Sequence, residues 1–219
     1  AGLRMQADLA QREGASAEEL KQSLQLIGRA SMRATHTVNQ LLSLARAESG
    51  ATNIARAPCD LVALTQDVMQ DSVSRALDQH IDLGYEGVDV GSPGVIIHGN
   101  ETLLKELVRN LVDNAINYTP SSAEQPGVIT VRVLADRFGQ VAVLQVEDSG
   151  PGIPKSERDL VFQPFYRSLG NDADGSGLGL PIVMEIAHLH TATVTLEDVH
   201  PGKPMPGARF TVRFANAQS

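Results

Sequence analysis

The chain has 219 residues, 42% of them hydrophobic, a formal net charge of −8 and a single cysteine, Cys59. That length and apolar content suit one large domain, or a small domain plus an appendage; with aromatics at 4% and no tryptophan, the core has to be built from Leu, Val, Ile and Ala. The acidic balance and the lack of any Lys/Arg cluster argue against a nucleic-acid partner, one cysteine allows no intrachain disulfide and points to a reducing compartment, and there is neither a signal peptide nor an apolar run near ~18 residues.

Residues 1–13 read as the tail of a helix, with Leu3, Ala7 and Ala10 at helical spacing. They start without a cap, so the chain is expected to be the cytoplasmic piece of a longer membrane protein, itself not membrane-inserted. Gly14 stops this helix and Ser16 can cap a second, which Glu18 and Glu19 favour at its positive end. The second helix runs to about Glu48 with a near-heptad seam of Leu20, Leu24, Ile27, Ser31, Ala34, Val38, Leu41 and Ala45. At ~1.5 Å per residue it is roughly 45–50 Å long, too long for one side of a compact domain. A seam of that length suggests a hairpin buried between two chains, and hence a homodimer; a helix lying along its own domain is the alternative.

The stretch from Ser49 through Pro58 breaks the pattern and divides a helical part, 1–50, from a second domain, 51–219. There Asp60 is placed to cap a helix reaching about Gln79. A short strand at 95–98 leads into a helix from roughly Glu101 to Tyr118. Alternating stretches at 128–134, 141–147, 193–197 and 208–214 read as strands, a helix covers 178–190, and 121–127 is a solvent-facing turn. The fold class expected is α+β: a two-layer α/β sandwich behind an α-helical hairpin.

Three patches carry the chemistry, in the order Asn110-Leu-Val-Asp-Asn114, Asp148-Ser-Gly150-Pro-Gly152 and Gly175-Ser-Gly177-Leu-Gly179. On a helix, Asn110, Asn114 and Asn117 fall within about 60° of one another, with Glu106 a turn earlier and a core face of Leu104, Leu107, Val108, Leu111 and Ala115 beside them. Asparagine is a mediocre helix former, so such a stripe asks for a reason; an amide oxygen that helps hold Mg²⁺ beside substrate phosphates is one, and a plain polar surface is the other. Asp148 closes a strand where a carboxylate can accept from an exocyclic amine and glycines let a flat ring approach; alone it would read as a plain Asp-Gly turn, and its position between the other two patches reverses that. The third patch offers exposed amides at a helix start, with Pro181 early in the helix where its missing N–H costs nothing. It is not a Walker loop, because no Gly-Lys-Ser/Thr follows, and not a Rossmann fingerprint, because no strand directly precedes it.

Together these patches resemble the N box and the two glycine boxes of the ATP-binding domain of bacterial two-component sensor histidine kinases, within the wider Bergerat-fold (GHKL-type) ATPases. The resemblance implies ATP and Mg²⁺ as cofactors. It makes Asn114 the metal ligand, places Asn110 and Asn114 in the catalytic machinery, and makes Asp148 the reader of adenine. Nucleotide contact is further implied at Asn117, Tyr118, Gly150, Gly152, Ile153, Gly175, Gly177, Leu178, Gly179 and Leu180. Phe162-Gln-Pro-Phe165-Tyr166-Arg167 is similar to the F box of the ATP lid, which implies Phe165 and Arg167 as further contacts; ordinary core packing is the alternative for Phe162 and Phe165. Asn117 departs from the family, where a basic residue is common, whereas Tyr118 matches the usual aromatic.

Hydrolysing relatives of the fold carry a glutamate base where this chain has Asn110, so the site suits phosphoryl transfer rather than water attack. Ala1-Gly-Leu-Arg-Met resembles the stretch just after the phosphoacceptor histidine, which implies that 1–50 is a truncated dimerisation hairpin lacking that histidine; none of the six histidines has the acceptor's context, His36 included. His188 and His190 are expected at a helix end where positive charge is welcome, and His190-Thr-Ala replaces the family's His-Gly-Gly. The implied function is transfer of the γ-phosphoryl of ATP to a histidine for relay to an aspartate on the receiver domain of a response regulator, at the cytoplasmic side of the bacterial inner membrane. The alternatives are an ATP-hydrolysing GHKL-type ATPase and a degenerate nucleotide-binding or dimerisation module.

Overall fold

The structure is a computed structural model, described here for residues 55–136, 141–167 and 176–215. The helical hairpin expected over 1–50, Gly175 and the lid stretch 168–174 lie outside the described residues. Among the described residues, three α-helices and seven strands follow in the order β1 (Ala57–Asp60), α1 (Leu61–Asp78), β2 (Ile81–Gly87), β3 (Ile96–Gly99), α2 (Glu101–Tyr118), β4 (Gly127–Ala135), β5 (Val141–Asp148), α3 (Gly179–Leu189), β6 (Ala192–Asp198) and β7 (Ala208–Ala215).

Local chemistry sets the helix limits. Asp60 Oδ1 accepts the N–H groups of Val62 and Ala63 and so caps α1, as expected, while its Oδ2 takes the Gly91 N–H at 2.6 Å. Asn100 caps α2 by accepting from Leu103 at 3.0 Å, and the Thr119 hydroxyl closes the other end on the Ala115 carbonyl at 2.7 Å. Each cap satisfies amides or carbonyls that a helix end leaves without partners.

β2, β4, β5, β7 and β6 form a five-stranded sheet in that spatial order; β2 runs parallel to β4 and the other pairs are antiparallel. β1 and β3 make a separate antiparallel ribbon. All three helices lie on one face: α1 packs on β2 and β4, α2 on β5, and α3 on β6, with α2 between its neighbours. This is the two-layer α+β sandwich expected from the sequence. Strand alternation sorts the residues between the faces. Ile129, Val131, Val133, Ala142, Leu144, Val146, Phe210, Val212 and Phe214 face the helices and are buried against Leu104, Leu107, Val108 and Leu111 of α2. Arg132, Glu147 and Arg209 stand on the opposite face.

β1 and β2 were not anticipated. β2 is an edge strand carrying Asp82, Gly84, Glu86 and Gly87, a composition poor in the branched and aromatic side chains that mark strands. Among the described residues no helix is long and apolar enough to cross a membrane.

Candidate functional site

The asparagine stripe runs along α2 from the interior to the surface. Asn110 is only 5% exposed, Asn114 is half-buried and Asn117 exposed. Asn110 donates through Nδ2 to the Glu106 carbonyl at 2.8 Å and to Glu106 Oε1 at 3.2 Å. Its Oδ1 lies where a Cβ on Gly179 would come within 3.1 Å. The start of α3 therefore rests directly on Asn110.

The far end of α2 meets the second patch. A Cβ on Gly150 would stand 2.9 Å from Asp148 Oδ1 and 3.0 Å from the Tyr118 carbonyl. Glycine is what allows the turn after β5 to lie against the last turn of α2. Asn114 is one helical turn from each contact, between Asn110 under Gly179 and Tyr118 under Gly150. The described parts of the three sequence patches thus lie against α2, with Gly175 falling outside the described residues.

Asp148 points to the helix side of the sheet, in alternation with Ala142, Leu144 and Val146. Its Oδ1 accepts the N–H of Gly150 at 2.8 Å and of Ala208 at 3.2 Å; Oδ2 receives no hydrogen bond from the described residues. Burial pushes this carboxyl above its ordinary value of 3.8, against the lowering effect of those two N–H groups, and no cation contributes. A half-buried carboxylate with one saturated and one open oxygen is suited to a neutral donor such as an exocyclic amine.

Sequence reasoning missed the segment that builds this turn from behind. Gly207, at φ +68°, has a position where any Cβ would fall on the Asp148 carbonyl oxygen, and its N–H donates to the Gly150 carbonyl at 3.0 Å. Gly152, at φ +69°, leaves 2.7 Å between its missing Cβ and the Pro206 ring. The Pro206-Gly207 pair ahead of a strand was the available signal for a turn, but its partner lies some sixty residues away in sequence. Ile153 is half-buried against the core. Its carbonyl accepts from Arg158 Nε at 3.1 Å, and Arg158 pairs with Asp198 at 2.5 Å, which fastens the segment after the glycines to β6.

The third patch is likewise tied to the F-box residues. The Phe165 N–H donates to the Gly177 carbonyl at 2.8 Å, and Gly177, at φ +71°, would place a Cβ 2.8 Å from the Phe165 backbone. The two phenylalanines part company. Phe162 packs edge-on to Phe210, ring centroids 6.4 Å apart, whereas Phe165 is 64% exposed with φ +66° and Arg167 is exposed beside it. Leu178 and Leu180 are 0% and 8% exposed, so their side chains face the core and only their backbone is available to a ligand. The Leu178 N–H is engaged by Ser176 Oγ at 3.2 Å, while the Gly179 and Leu180 amides open α3, where no intrahelical carbonyl reaches them.

The two histidines at the end of α3 also differ. His188 is exposed, but His190 is 8% exposed, and burial first, then Arg56, pushes its pKa below the ordinary 6.5. The expectation that both welcome positive charge is corrected for His190, which is a buried neutral ring.

A nucleotide fits this arrangement: Oδ2 of Asp148 for an amine, and the first amides of α3 for phosphate. Magnesium fits as well. No three His, Cys, Asp or Glu side chains gather among the described residues, so a metal here would rest on an amide oxygen, waters and phosphates, the set Mg²⁺ accepts.

Comparison with known proteins agrees as to the nucleotide. Residues 99–218 match the family described as histidine kinase-, DNA gyrase B-, and HSP90-like ATPase. The chain is 35% identical over 214 residues to the sensor protein kinase PmrB of Pseudomonas aeruginosa, covering 97% of this chain and 41% of PmrB. It is 34% identical over 202 residues to the sensor protein QseC of Escherichia coli, covering 91% of this chain and 42% of QseC. The chain thus spans about two fifths of the length of these relatives. Among solved structures it resembles the mycobacterial sensor histidine kinase MprB, with TM-score 0.61 and 27% identity over 73% of this chain and 97% of that one. It also resembles full-length ShkA in complex with AMPPNP, with TM-score 0.72 and 25% identity over 99% of this chain and 43% of that one. With more than half of its length inside the match, and with the site built as above, this chain belongs to the histidine kinase-, DNA gyrase B- and HSP90-like ATPase family.

Proposed function

We propose that this chain is the catalytic ATP-binding region of a sensor histidine kinase, which holds Mg-ATP and delivers its γ-phosphoryl to a histidine for relay to an aspartate on a response-regulator receiver domain. The observation that carries this reading is the placing of α2, with Gly179 against Asn110, the Asp148 turn against Tyr118, and Asn114 between them. Asp148 Oδ2 accepts from the adenine amine. The opening amides of α3 meet the phosphates, and Asn114 supplies the protein's oxygen to Mg²⁺, which neutralises phosphate charge when bound. Asn117, Tyr118 and Arg167 line the open side.

In the transfer itself the bond from the γ-phosphorus to the bridging oxygen breaks, a bond to an imidazole nitrogen forms, and ADP leaves. The imidazole brings its own lone pair, so no base has to strip a proton from water. Asn110, an amide held by Glu106, suits that role and not hydrolysis. The chain's part is positioning and electrostatics. Residues 51–219 form the catalytic domain and 1–50 part of a dimerisation hairpin. The intact protein acts as a homodimer with this region at the cytoplasmic face of the bacterial inner membrane.

Titration with a fluorescent ATP analogue, with and without Mg²⁺, tests the reading. Wild type is expected to bind in a Mg²⁺-dependent way, and Asn114→Ala to lose about tenfold in affinity with most of the metal dependence. No binding by wild type would favour a degenerate module, and steady phosphate release from the protein alone would favour an ATP-hydrolysing enzyme.

A further inference from the structure

His190 is a buried titratable side chain for which the nucleotide reading has no use. Both its ring nitrogens are nevertheless engaged. Nδ1 lies 2.7 Å from the Ile186 carbonyl, which fixes the proton there and leaves Nε2 to accept; the Asn100 N–H donates to Nε2 at 3.0 Å. Asn100 caps α2 and His190 caps the end of α3. α3 is thus held to α2 at both of its own ends, by the Asn100–His190 bond at one and by the contact of Gly179 with Asn110, midway along α2, at the other. Ten residues of α2 and eleven of α3 separate the two joints, a lever of about 15 Å at 1.5 Å per residue. Gly99 makes room for it, since a Cβ there would come within 2.7 Å of the His190 ring. Where the chain comes into the domain it is hooked onto the same point: Arg56 Nη2 donates to the Leu189 carbonyl at 2.5 Å, and Asn100 Nδ2 to the Ala55 carbonyl at 3.4 Å.

We infer that His190 is a positioning residue for nucleotide binding, a clamp between the Asn100 end of α2 and the last turn of α3 that keeps the Gly177–Leu180 segment seated on Asn110, with Arg56 hooked to the same point. The inference rests on the nucleotide-binding reading above. If the clamp is released, Asn100 keeps a half-buried amide without an acceptor and α3 is free to pivot about its start, which moves the amides that meet phosphate.

The test measures affinity for a Mg-bound ATP analogue and thermal midpoint on the full chain. His190→Leu is expected to bind about five- to tenfold more weakly, the range that loss of one buried neutral hydrogen bond allows. His190→Gln, whose side-chain oxygen can stand in for Nε2, is expected to regain most of that affinity. Val133→Ala, a core truncation on β4 away from both joints, should lower the midpoint and leave affinity at the wild-type value. Should His190→Leu fail to fold, Arg56→Ala removes only an exposed hook, and an affinity loss of about twofold is expected. Wild-type affinity in a folded His190→Leu, an equal loss in Val133→Ala, or, where Arg56→Ala is the variant read, no loss there overturns the clamp. Failure of wild type to bind overturns the functional reading instead.

Discussion

Glu147 and Asp148 are neighbours at the end of β5, on opposite faces of the sheet, and their environments push them apart. On the outer face Glu147 stands between Arg132 at 2.6 Å and Arg209. These pair in turn with Glu86 at 2.7 Å and Glu197 at 3.1 Å, so alternating charges cross all five strands. Burial pushes Glu147 up, but the two guanidiniums outweigh it and hold the carboxyl below its ordinary 4.5. Asp148, facing the helices, meets no cation; burial raises its pKa, and one oxygen is left open. The same chemical group is a completed structural element on one side and an unfinished one on the other. An acid whose charge is already matched ties strands together, whereas an acid buried with spare hydrogen-bonding capacity is held ready for a ligand.

The largest expected effect comes from making the two acids alike. Asp148→Asn keeps an oxygen for the Gly150 and Ala208 amides but turns an NH₂ donor toward the place proposed above for the adenine amine. Affinity for an ATP analogue should fall about 30-fold or more, the scale of a lost hydrogen bond to a charged group, with the thermal midpoint nearly unchanged. Near-wild-type affinity in this variant would remove Asp148 from the site.

Acid should separate the pair next. When the carboxyl of Asp148 takes a proton, Oδ2 becomes a donor facing a donor, so affinity should drop by up to about tenfold per pH unit below its raised pKa. In Asp148→Asn that dependence should vanish. The stability slopes run in opposite senses. For Asp148 the folded state holds its proton more tightly than the unfolded chain, so its contribution falls as pH rises from the ordinary 3.8 to the raised value and is flat above it. For Glu147 the folded pKa is depressed, so its contribution is complete above 4.5 and is lost as pH falls through the folded value. Urea midpoints across the acid range, taken for each neutralised variant, read both slopes.

Glu147→Gln addresses the completed side. It should cost about 2 kcal/mol of stability through weakened bonds to Arg132 and Arg209, or roughly 4–8 °C for a domain of this size, while nucleotide affinity stays within about twofold of wild type. A large affinity loss here would mean that the outer face communicates with the site.

What the sequence disclosed follows the same division between local and remote causes. The approximate limits of α2 were legible in the sequence, and the structure shows them set by the local cap bonds of Asn100 and Thr119. The strand that ends at Asp148 was legible because Val141, Val143 and Val146 mark it as one. β2 was not, since an edge strand can afford Asp82, Gly84 and Glu86 without losing a core. Nor was the Gly207–Ala208 backing of Asp148, or the bond from Asn100 to His190, because each joins residues sixty or ninety positions apart. His190 was misjudged on the same ground: a helix end reads as a place for a cation until the β3 and α2 residues that bury it are known.

The smallest effect tests whether glycine at the start of α3 serves the ligand or the fold. Gly177 cannot answer, since its φ of +71° and its contact with Phe165 make any side chain disruptive. Gly179 has no positive φ, and alanine there gives a Cβ 3.1 Å from Asn110 Oδ1, a squeeze relieved only by moving α3 or an asparagine that Glu106 already holds. Alanine also removes backbone freedom from the unfolded chain, which favours the folded state by about 0.5–1 kcal/mol in a helix. The two consequences have opposite signs. Gly179→Ala should leave the thermal midpoint level or slightly higher while weakening nucleotide binding by about two- to threefold, because a few tenths of an ångström matter little to packing and more to amides aimed at a phosphate. A parallel fall in both quantities would assign Gly179 to the fold, and an unchanged affinity would mean that the start of α3 tolerates displacement from Asn110.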